Sequence, residues 1–171
     1  MYKRQGANNV AVGALALDAN TTASGGTAVG ISALGANTTG TENVGLGGWT
    51  LAVNTTGTYN TAVGTNALDA NTTGDNNTTV GHNSLTANTT GGANVAVGKD
   101  ALKANTTASN NTAVGYQSQE VTSTGASNSS LGIHALRLNT TGASNTALGA
   151  YALDANTVSY THLTLPTTPY V

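Results

Sequence analysis

The sequence predicts an all-β protein, a parallel β-solenoid (β-roll), from three observations. A 17-residue unit close to x-x-Asn-Thr-Ala-Val-Gly-x-x-Ala-Leu-x-Ala-Asn-Thr-Thr-Gly is repeated nine times from Ala7, with no insertion. Charged residues are only 7% of the 171 residues and phenylalanine is absent, which disfavours a globular domain with a large core. The seventh position is always glycine: Gly13, Gly30, Gly47, Gly64, Gly81, Gly98, Gly115, Gly132 and Gly149. A fixed period is typical of a rod in which each unit packs against its neighbours.

Each unit is predicted to hold two short strands. Position 6 is valine or leucine in every unit, and position 11 is leucine in all units but the seventh, which has Gln119. Glycine and two variable residues lie between these columns, a spacing that suits two strands joined by a tight turn. Two helices would not fit into a unit of this length. We therefore expect a strand around positions 3 to 7, a second around positions 10 to 14, and coils about 4.8 Å apart.

Strand alternation predicts the core. If position 6 points inward, positions 4, 11 and 13 do too, and the small residues at positions 5 and 10 point outward. Small, flat, apolar outer faces favour contact with another chain, although alanine on a solvated sheet is the alternative. A buried Gln119 needs hydrogen-bond partners, so we expect a bulge or a tolerated defect in the seventh unit, where Thr122 also replaces asparagine.

Asparagine recurs at positions 3 and 14 of the unit. Its side-chain amide can bond to the coils above and below, as an asparagine ladder. Asparagine, and glycine at positions 7 and 17, also tolerate the left-handed turn conformation. Asn20-Thr-Thr and its copies match the N-glycosylation sequon, but turn chemistry explains the match.

The ends of the chain fall outside the repeat. Residues 158–163 (VSYTHL) are what GTC-TCT-TAT-ACA-CAT-CT encodes, which resembles the mosaic-end adapter of short-read sequencing libraries. Residues 1–5, read as GTG-TAT-AAG-AGA-CAG, resemble the same oligonucleotide in the opposite orientation. We assign 1–5 and 158–171 as adapter-derived scars, the second disordered, and 6–157 as the solenoid domain of a metagenomic fragment cut from a longer array.

Charge and spacing argue against several functions. Without the end segments, three basic residues (five minus Lys3 and Arg4) face seven acidic ones, a net charge of −4, so nucleic acid is not an expected partner. The absence of cysteine excludes disulfides and cysteine-bound metal. The acids form no pair suited to acid–base catalysis, and His82 and His134 are three coils apart, too far to share a metal ion. We expect no enzyme activity, no metal and no cofactor, with a ring of one histidine around a trimer axis as the alternative.

The unit resembles a known family. Asn-Thr-Ala-Val-Gly (60–64 and 111–115) and Asn-Thr-Ala-Leu-Gly (145–149) resemble the Ser-Val-Ala-Ile-Gly core of the YadA-type trimeric autotransporter adhesin head. The repeat also resembles arrays that precede self-cleaving chaperone domains in phage tail fibres. The resemblance covers all nine units and implies a left-handed, trimeric, extracellular rod on a bacterial surface or a virion. The adhesin unit is shorter, so the longer unit of this chain implies a longer turn after the second strand.

Positions 8 and 9, directly after the fixed glycine, vary most. The candidate ligand-binding residues on this turn edge are Trp49, His82, Tyr116, His134 and Tyr151. Exposed turn aromatics are good anchors for glycans or proteins, although turn tips are also free to vary.

The sequence therefore favours a structural and adhesive rod segment of a homotrimeric surface adhesin or tail fibre. The expected partner is a host-surface protein or glycan, with no direct membrane insertion and no chemistry of its own. The alternative is a monomeric solenoid that binds ice or a glycan. The paired threonines at positions 15 and 16 lie in a turn and would face opposite sides, which weakens the ice hypothesis. An enzyme on a β-helix in another part of the gene is a third option.

Overall fold

The computed structural model describes residues 6–156, 158 and 159 and forms one parallel sheet of nine strands in chain order. The strands are β1 (Val10–Val12), β2 (Thr27–Val29), β3 (Val44–Leu46), β4 (Thr61–Val63), β5 (Thr78–Val80), β6 (Val95–Val97), β7 (Thr112–Val114), β8 (Ser129–Leu131) and β9 (Thr146–Leu148). Each strand residue pairs with its equivalent in the next unit, for example Ala11 with Ala28. The prediction of an all-β, parallel β-solenoid with one repeat unit per coil is confirmed. The segments 1–5 and 160–171 of the predicted scars lie outside the described residues.

Backbone hydrogen bonds join the coils well beyond the strands. In the turns, the Leu34 amide donates to the carbonyl of Thr50 at 2.9 Å, and the Trp49 amide donates to that of Ile31 at 2.8 Å. On the far side of the coil the Thr38 amide donates to the carbonyl of Thr55 at 3.0 Å. The turns are therefore stacked as regularly as the strands, and nine coils make a rod of about 40 Å.

The second strand predicted at positions 10 to 14 is wrong, because these residues form turns in the described coils. In the third coil, Trp49 at position 9 and Leu51 at position 11 both have left-handed backbones, with φ of 55° and 51°. The same two positions are left-handed in all nine coils. A left-handed residue breaks strand alternation, so positions 10 and 11 both point inward, as the fully buried Ala67 and Leu68 do.

The predicted facing of the first strand is also wrong. Position 5 is the inward one, with Ala28 and Ala62 fully buried, whereas position 6 faces outward, with Val80 41% exposed. Positions 4 and 13, predicted inward, lie partly or fully at the surface. Of the predicted inward columns, the structure confirms only the leucines at position 11.

The narrow coil interior explains this reversal. A Cβ on Gly45 at position 5 would lie 2.9 Å from Thr50 Oγ1 and 3.5 Å from Leu34 Cγ. The strand therefore faces side chains from positions 10 and 11, which leave space only for a small residue. The third coil has its bulkier Thr50 opposite glycine, whereas most coils pair alanine with alanine or serine.

The predicted asparagine ladders are confirmed at both positions. At position 3, Asn60 Nδ2 donates to Asn43 Oδ1 of the previous coil at 3.2 Å. At position 14, Asn71 Nδ2 donates to Asn54 Oδ1 at 2.8 Å. These four asparagines are fully buried, so the sequon asparagines Asn54 and Asn71 do not present their amides to solvent.

The two recurrent glycine columns differ in conformation. Gly64 at position 7 has φ of +125°, as predicted, but Gly57 at position 17 is not left-handed. A Cβ on Gly57 would instead lie 2.5 Å from Asn54 Oδ1 and from the carbonyl oxygen of Gly74. Position 17 therefore needs a small residue because the coils approach closely there.

The seventh coil keeps its register and forms no bulge, so the tolerated defect is the correct one of the two expectations. Gln119 is fully buried, and its Nε2 donates to the carbonyl of Thr112 and to Ser130 Oγ, both at 2.8 Å. Gln119 Oε1 and Thr122 Oγ1 are buried without a hydrogen-bond partner. This coil separates the buried apolar residues into two clusters. The first cluster ends at Ala113, and the second begins at Ala135.

Candidate functional site

The outward side of the sheet is a flat strand face, made by positions 4 and 6 of every coil. Its residues are Val10, Thr27, Val44, Thr61, Thr78, Val95, Thr112, Ser129 and Thr146 in one column, and Val12, Val29, Leu46, Val63, Val80, Val97, Val114, Leu131 and Leu148 in the other. Neither column contains a charged residue. Because the strands are in register, each column repeats at the strand spacing of about 4.8 Å.

The strand face is apolar and open to solvent in this single chain. Val29 is 38% exposed, Val80 is 41% exposed and Leu131 is 51% exposed. A groove of about 290 Å³ runs between the two columns at β7 to β9, lined in part by Val114, Leu131 and Leu148. The face thus offers a regular apolar surface that runs along all nine strands.

The turn ridge, which we define as positions 8 and 9 of every coil, borders the strand face. Gly13 and the eight equivalent glycines precede it with φ between 118° and 141°. Position 9 is left-handed in each coil. The five candidate residues all lie on this ridge, and all but the half-buried His134 are exposed.

The structure brings three of the five candidate residues together. The rings of Tyr116 and His134 have centroids 5.6 Å apart, and those of His134 and Tyr151 have centroids 5.0 Å apart in an edge-on arrangement. Trp49 lies four coils before Tyr116, about 19 Å along the rod, and His82 lies two coils before it. The ridge therefore carries one aromatic cluster in coils seven to nine and two separate residues.

Polar side chains that the sequence analysis did not select surround this cluster. Gln117 Oε1 lies 2.8 Å from His134 Nε2, and Gln117 Nε2 donates to Glu120 Oε1 at 3.0 Å. Lys99 Nζ lies 5.5 Å from the centroid of the Tyr116 ring, a cation–π distance. Gln117, at position 9, thus contacts the residue at position 9 of the next coil and the residue at position 12 of its own coil. Only the stacking of the coils together with the left-handed turn reveals these contacts.

Charged pairs lie beside the cluster. Arg137 Nε donates to Asp154 Oδ1 at 3.0 Å, and this hydrogen bond raises the pKa of Arg137. Asp100, which is 4% exposed, forms ion pairs with Lys99 at 3.3 Å and with Lys103 at 3.6 Å. Burial alone would raise the pKa of Asp100, but the hydrogen bonds from Asn83 and Lys99 and the two lysine charges together lower it.

Asp69, a carboxylate that lies away from the cluster, has a pKa shifted in the opposite direction to that of Asp100. Asp69, at position 12 of the fourth coil, is half-buried, and burial raises its pKa. Within residues 6–156, 158 and 159, no group of three or more His, Cys, Asp or Glu side chains is placed to hold a metal ion. The same part of the chain has no helix that is long and apolar enough to cross a membrane.

Comparison with protein-family models, with curated proteins and with solved structures found no match to this chain. Functional inference therefore depends on the strand face and the turn ridge.

Proposed function

We propose that this chain is a structural and adhesive rod segment that assembles as a homotrimer through its strand face. The observation that carries this proposal is the uncharged apolar face formed by the two columns, which is open to solvent in the single chain. Monomeric proteins seldom expose apolar patches this long, and such patches usually mark an interface.

Two further copies of the same chain suit this face better than an unrelated partner. The face repeats with the period of the rod, so copies lying side by side match along the whole length rather than at one spot. The array has a net charge of −4, yet its charged residues, such as Asp69 and Glu120, lie outside the two face columns. Copies can therefore meet at the strand face without placing like charges against one another.

The remaining parts of the proposal come from the resemblance to YadA-type adhesin heads and phage tail-fibre repeats. They are left-handed winding, an extracellular position on a bacterial surface or a virion, and a host-surface protein or glycan as partner. In this proposal the rod performs no chemistry, binds no nucleic acid, does not insert into a membrane, and serves as spacer and attachment surface.

The mass of the chain in solution tests the trimer. We expect light scattering to give three times the chain mass of 16.8 kDa. A Val63→Lys/Val80→Lys double variant should give a monomer, because it places charges in the middle of the face. Val53→Lys is the matched control, since Val53 is 44% exposed at position 13, outside the face. A monomeric parent chain, or equal dissociation by Val53→Lys, would contradict the proposal.

One observation favours the alternative of a monomeric ice binder. The threonines that matter are those at position 4, since Thr27, Thr61 and Thr78 lie on the flat strand face in one column, which valine interrupts in some coils. At position 15, by contrast, hydroxyls such as Thr38 Oγ1 donate to the next coil. A stable monomer whose ice-recrystallisation inhibition is lost in Thr61→Lys would favour this function over the trimeric rod.

A further inference from the structure

We propose that Tyr116, His134 and Tyr151 form a binding site for a neutral oligosaccharide on the turn ridge. This inference names the ligand of the attachment function proposed above and rests on that function, but it does not depend on the number of chains in the rod.

The three rings form a continuous aromatic platform that is stepped rather than flat, since the ring planes of Tyr116 and His134 are inclined by 39° and those of His134 and Tyr151 by 84°. They come from consecutive coils and are linked by centroid distances of 5.6 and 5.0 Å, so the platform runs along the rod. Tyr116 is 40% exposed and Tyr151 is 59% exposed, which leaves ring surface open to a ligand. Aromatic rings pack against the apolar C–H faces of pyranose sugars and keep a polar group at their edge for the sugar hydroxyls. The length of the platform suits a chain of sugars better than a single ring.

The backbone of the platform and its central imidazole are held in place before any ligand binds. His134 and Tyr151 have left-handed backbones, with φ of 56° and 58°, and their amides donate to the carbonyls of Tyr116 and Ile133 at 3.0 and 2.8 Å. Gln117 donates to Glu120 through its Nε2, so its Oε1 accepts from His134 and fixes the orientation of the imidazole. The central imidazole therefore has little side-chain freedom to lose on binding, which favours affinity.

The surrounding charges favour a neutral sugar over an acidic one. The cations near the rings already have carboxylate partners, since Arg137 pairs with Asp154 and Lys99 pairs with Asp100. An acidic sugar would have to compete with those carboxylates. Neutral hydroxyls can instead bond to the outer edges of Glu120, Arg137 and Asp154, which offer both acceptors and donors.

Packing within the rod does not require these rings. Several equivalent positions in other coils hold small or polar residues, as in Ala14, Gly48, Thr65 and Asn66, and those coils have the same backbone. Exposed aromatic side chains that the fold does not need are typical of recognition sites.

Titration of the full chain with cellotetraose and maltotetraose, followed by the NMR signals of the tyrosine rings, tests the site. We expect saturable binding of at least one of them, and weaker binding of the acidic trisaccharide sialyllactose. Tyr116→Ala and Tyr151→Ala should each weaken binding about tenfold, as expected for loss of an aromatic anchor.

Tyr59→Ala is the matched control. Tyr59 is 60% exposed with φ of 57°, almost identical to Tyr151, but it lies at position 2, away from the ridge. The site is refuted if neither neutral sugar binds, if sialyllactose binds more tightly, or if Tyr59→Ala weakens binding as much as Tyr151→Ala does. The mass of the same samples distinguishes failure of the saccharide site from failure of the trimer.

Discussion

The side-chain amides of Asn43 and Asn54 donate to one acceptor, the carbonyl oxygen of Gly57, at 2.7 and 3.0 Å. Asn43 belongs to the position 3 ladder and Asn54 to the position 14 ladder. The same convergence recurs in the next coil, where Asn60 and Asn71 donate to the carbonyl of Gly74 at 2.8 and 2.9 Å. Both lone pairs of this buried carbonyl are therefore used, and the two ladders form one network that holds the turn at positions 14 to 17 to the core.

Substitution of a ladder asparagine should be strongly destabilising. Asn71→Ala removes the donor to Asn54 Oδ1 and one of the two donors to Gly74, and it removes the acceptor of Asn88 Nδ2. We expect a loss of about 2 kcal/mol or more in the free energy of unfolding, because buried polar groups lose their partners. Urea denaturation measures this loss. The exposed Thr73→Ala in the same coil should change stability by less than about 0.5 kcal/mol, and an equal effect of both would contradict the network.

Restoring asparagine in the seventh coil should stabilise the rod. Thr122 interrupts the position 14 ladder, and the Oδ1 atom of Asn105 in the coil before it is buried without a hydrogen-bond partner. Thr122→Asn supplies a donor to that atom and an acceptor for Asn139, so we expect a gain of about 1 kcal/mol. Thr124→Asn makes the same change at an exposed site two positions away. If both variants, or neither, raise the urea midpoint, the ladder is not the cause.

The sequence carried enough information for the period, the parallel sheet, the leucine column and both asparagine ladders, because each depends on one residue type recurring at a fixed period. It did not reveal which way the first strand faces. Val63 looks like a core residue by hydrophobicity, yet the small Ala62 is the buried one, since the coil interior admits only small side chains opposite Leu68. Left-handed leucines such as Leu68 have no sequence signature, because leucine normally avoids that conformation.

The candidate site was predicted only in part for a related reason. The sequence identified Tyr116, His134 and Tyr151 as candidates because they are aromatic or histidine residues at variable positions. Their contact, however, depends on position 9 of one coil touching position 8 or position 9 of the coil before it. The roles of Gln117 and Glu120 depend on the turn between positions 9 and 12, which a predicted strand in that region concealed.

Glycine at position 7 should be essential, whereas its neighbour should not. Gly47 has φ of +133°, and a Cβ there would lie 2.8 Å from the carbonyl carbon of Gly64 in the next coil. Gly47→Ala should therefore cost about 3 kcal/mol or more. A Cβ on Gly48 meets chiefly Ile31 Cγ2, at 3.2 Å, and other coils carry larger residues at that position, so Gly48→Ala should be close to neutral. Thermal unfolding followed by circular dichroism compares the two, and similar melting temperatures would contradict the close coil contact.

The Asp100 carboxylate should stabilise the rod at neutral pH. Its pKa is lowered in the folded chain, so its contribution is fully present above the unfolded value of about 3.9 and is lost as the pH falls through the folded value. Asp100→Asn keeps an acceptor for Asn83 but leaves Lys99 and Lys103 without their carboxylate. We expect lower stability of the variant at pH 7, with the difference shrinking below about pH 4. A difference that is independent of pH would show that the charge does not matter.

Asp69→Asn should raise the stability of the rod at pH 7, which is the opposite of the effect expected for Asp100→Asn. Burial raises the pKa of Asp69, so the ionised carboxylate is less favourable in the folded chain than in the unfolded one. This cost is fully present above the folded pKa and disappears as the pH falls below the unfolded value of about 3.9. Removing the charge should therefore raise the urea midpoint at pH 7 and have little effect in acid. Because Asp69 and Asp100 undergo the same substitution in the same rod, measuring both across pH 3 to 7 separates local charge environment from any general effect of lost negative charge. Parallel curves for the two variants would contradict the opposite environments inferred for these carboxylates.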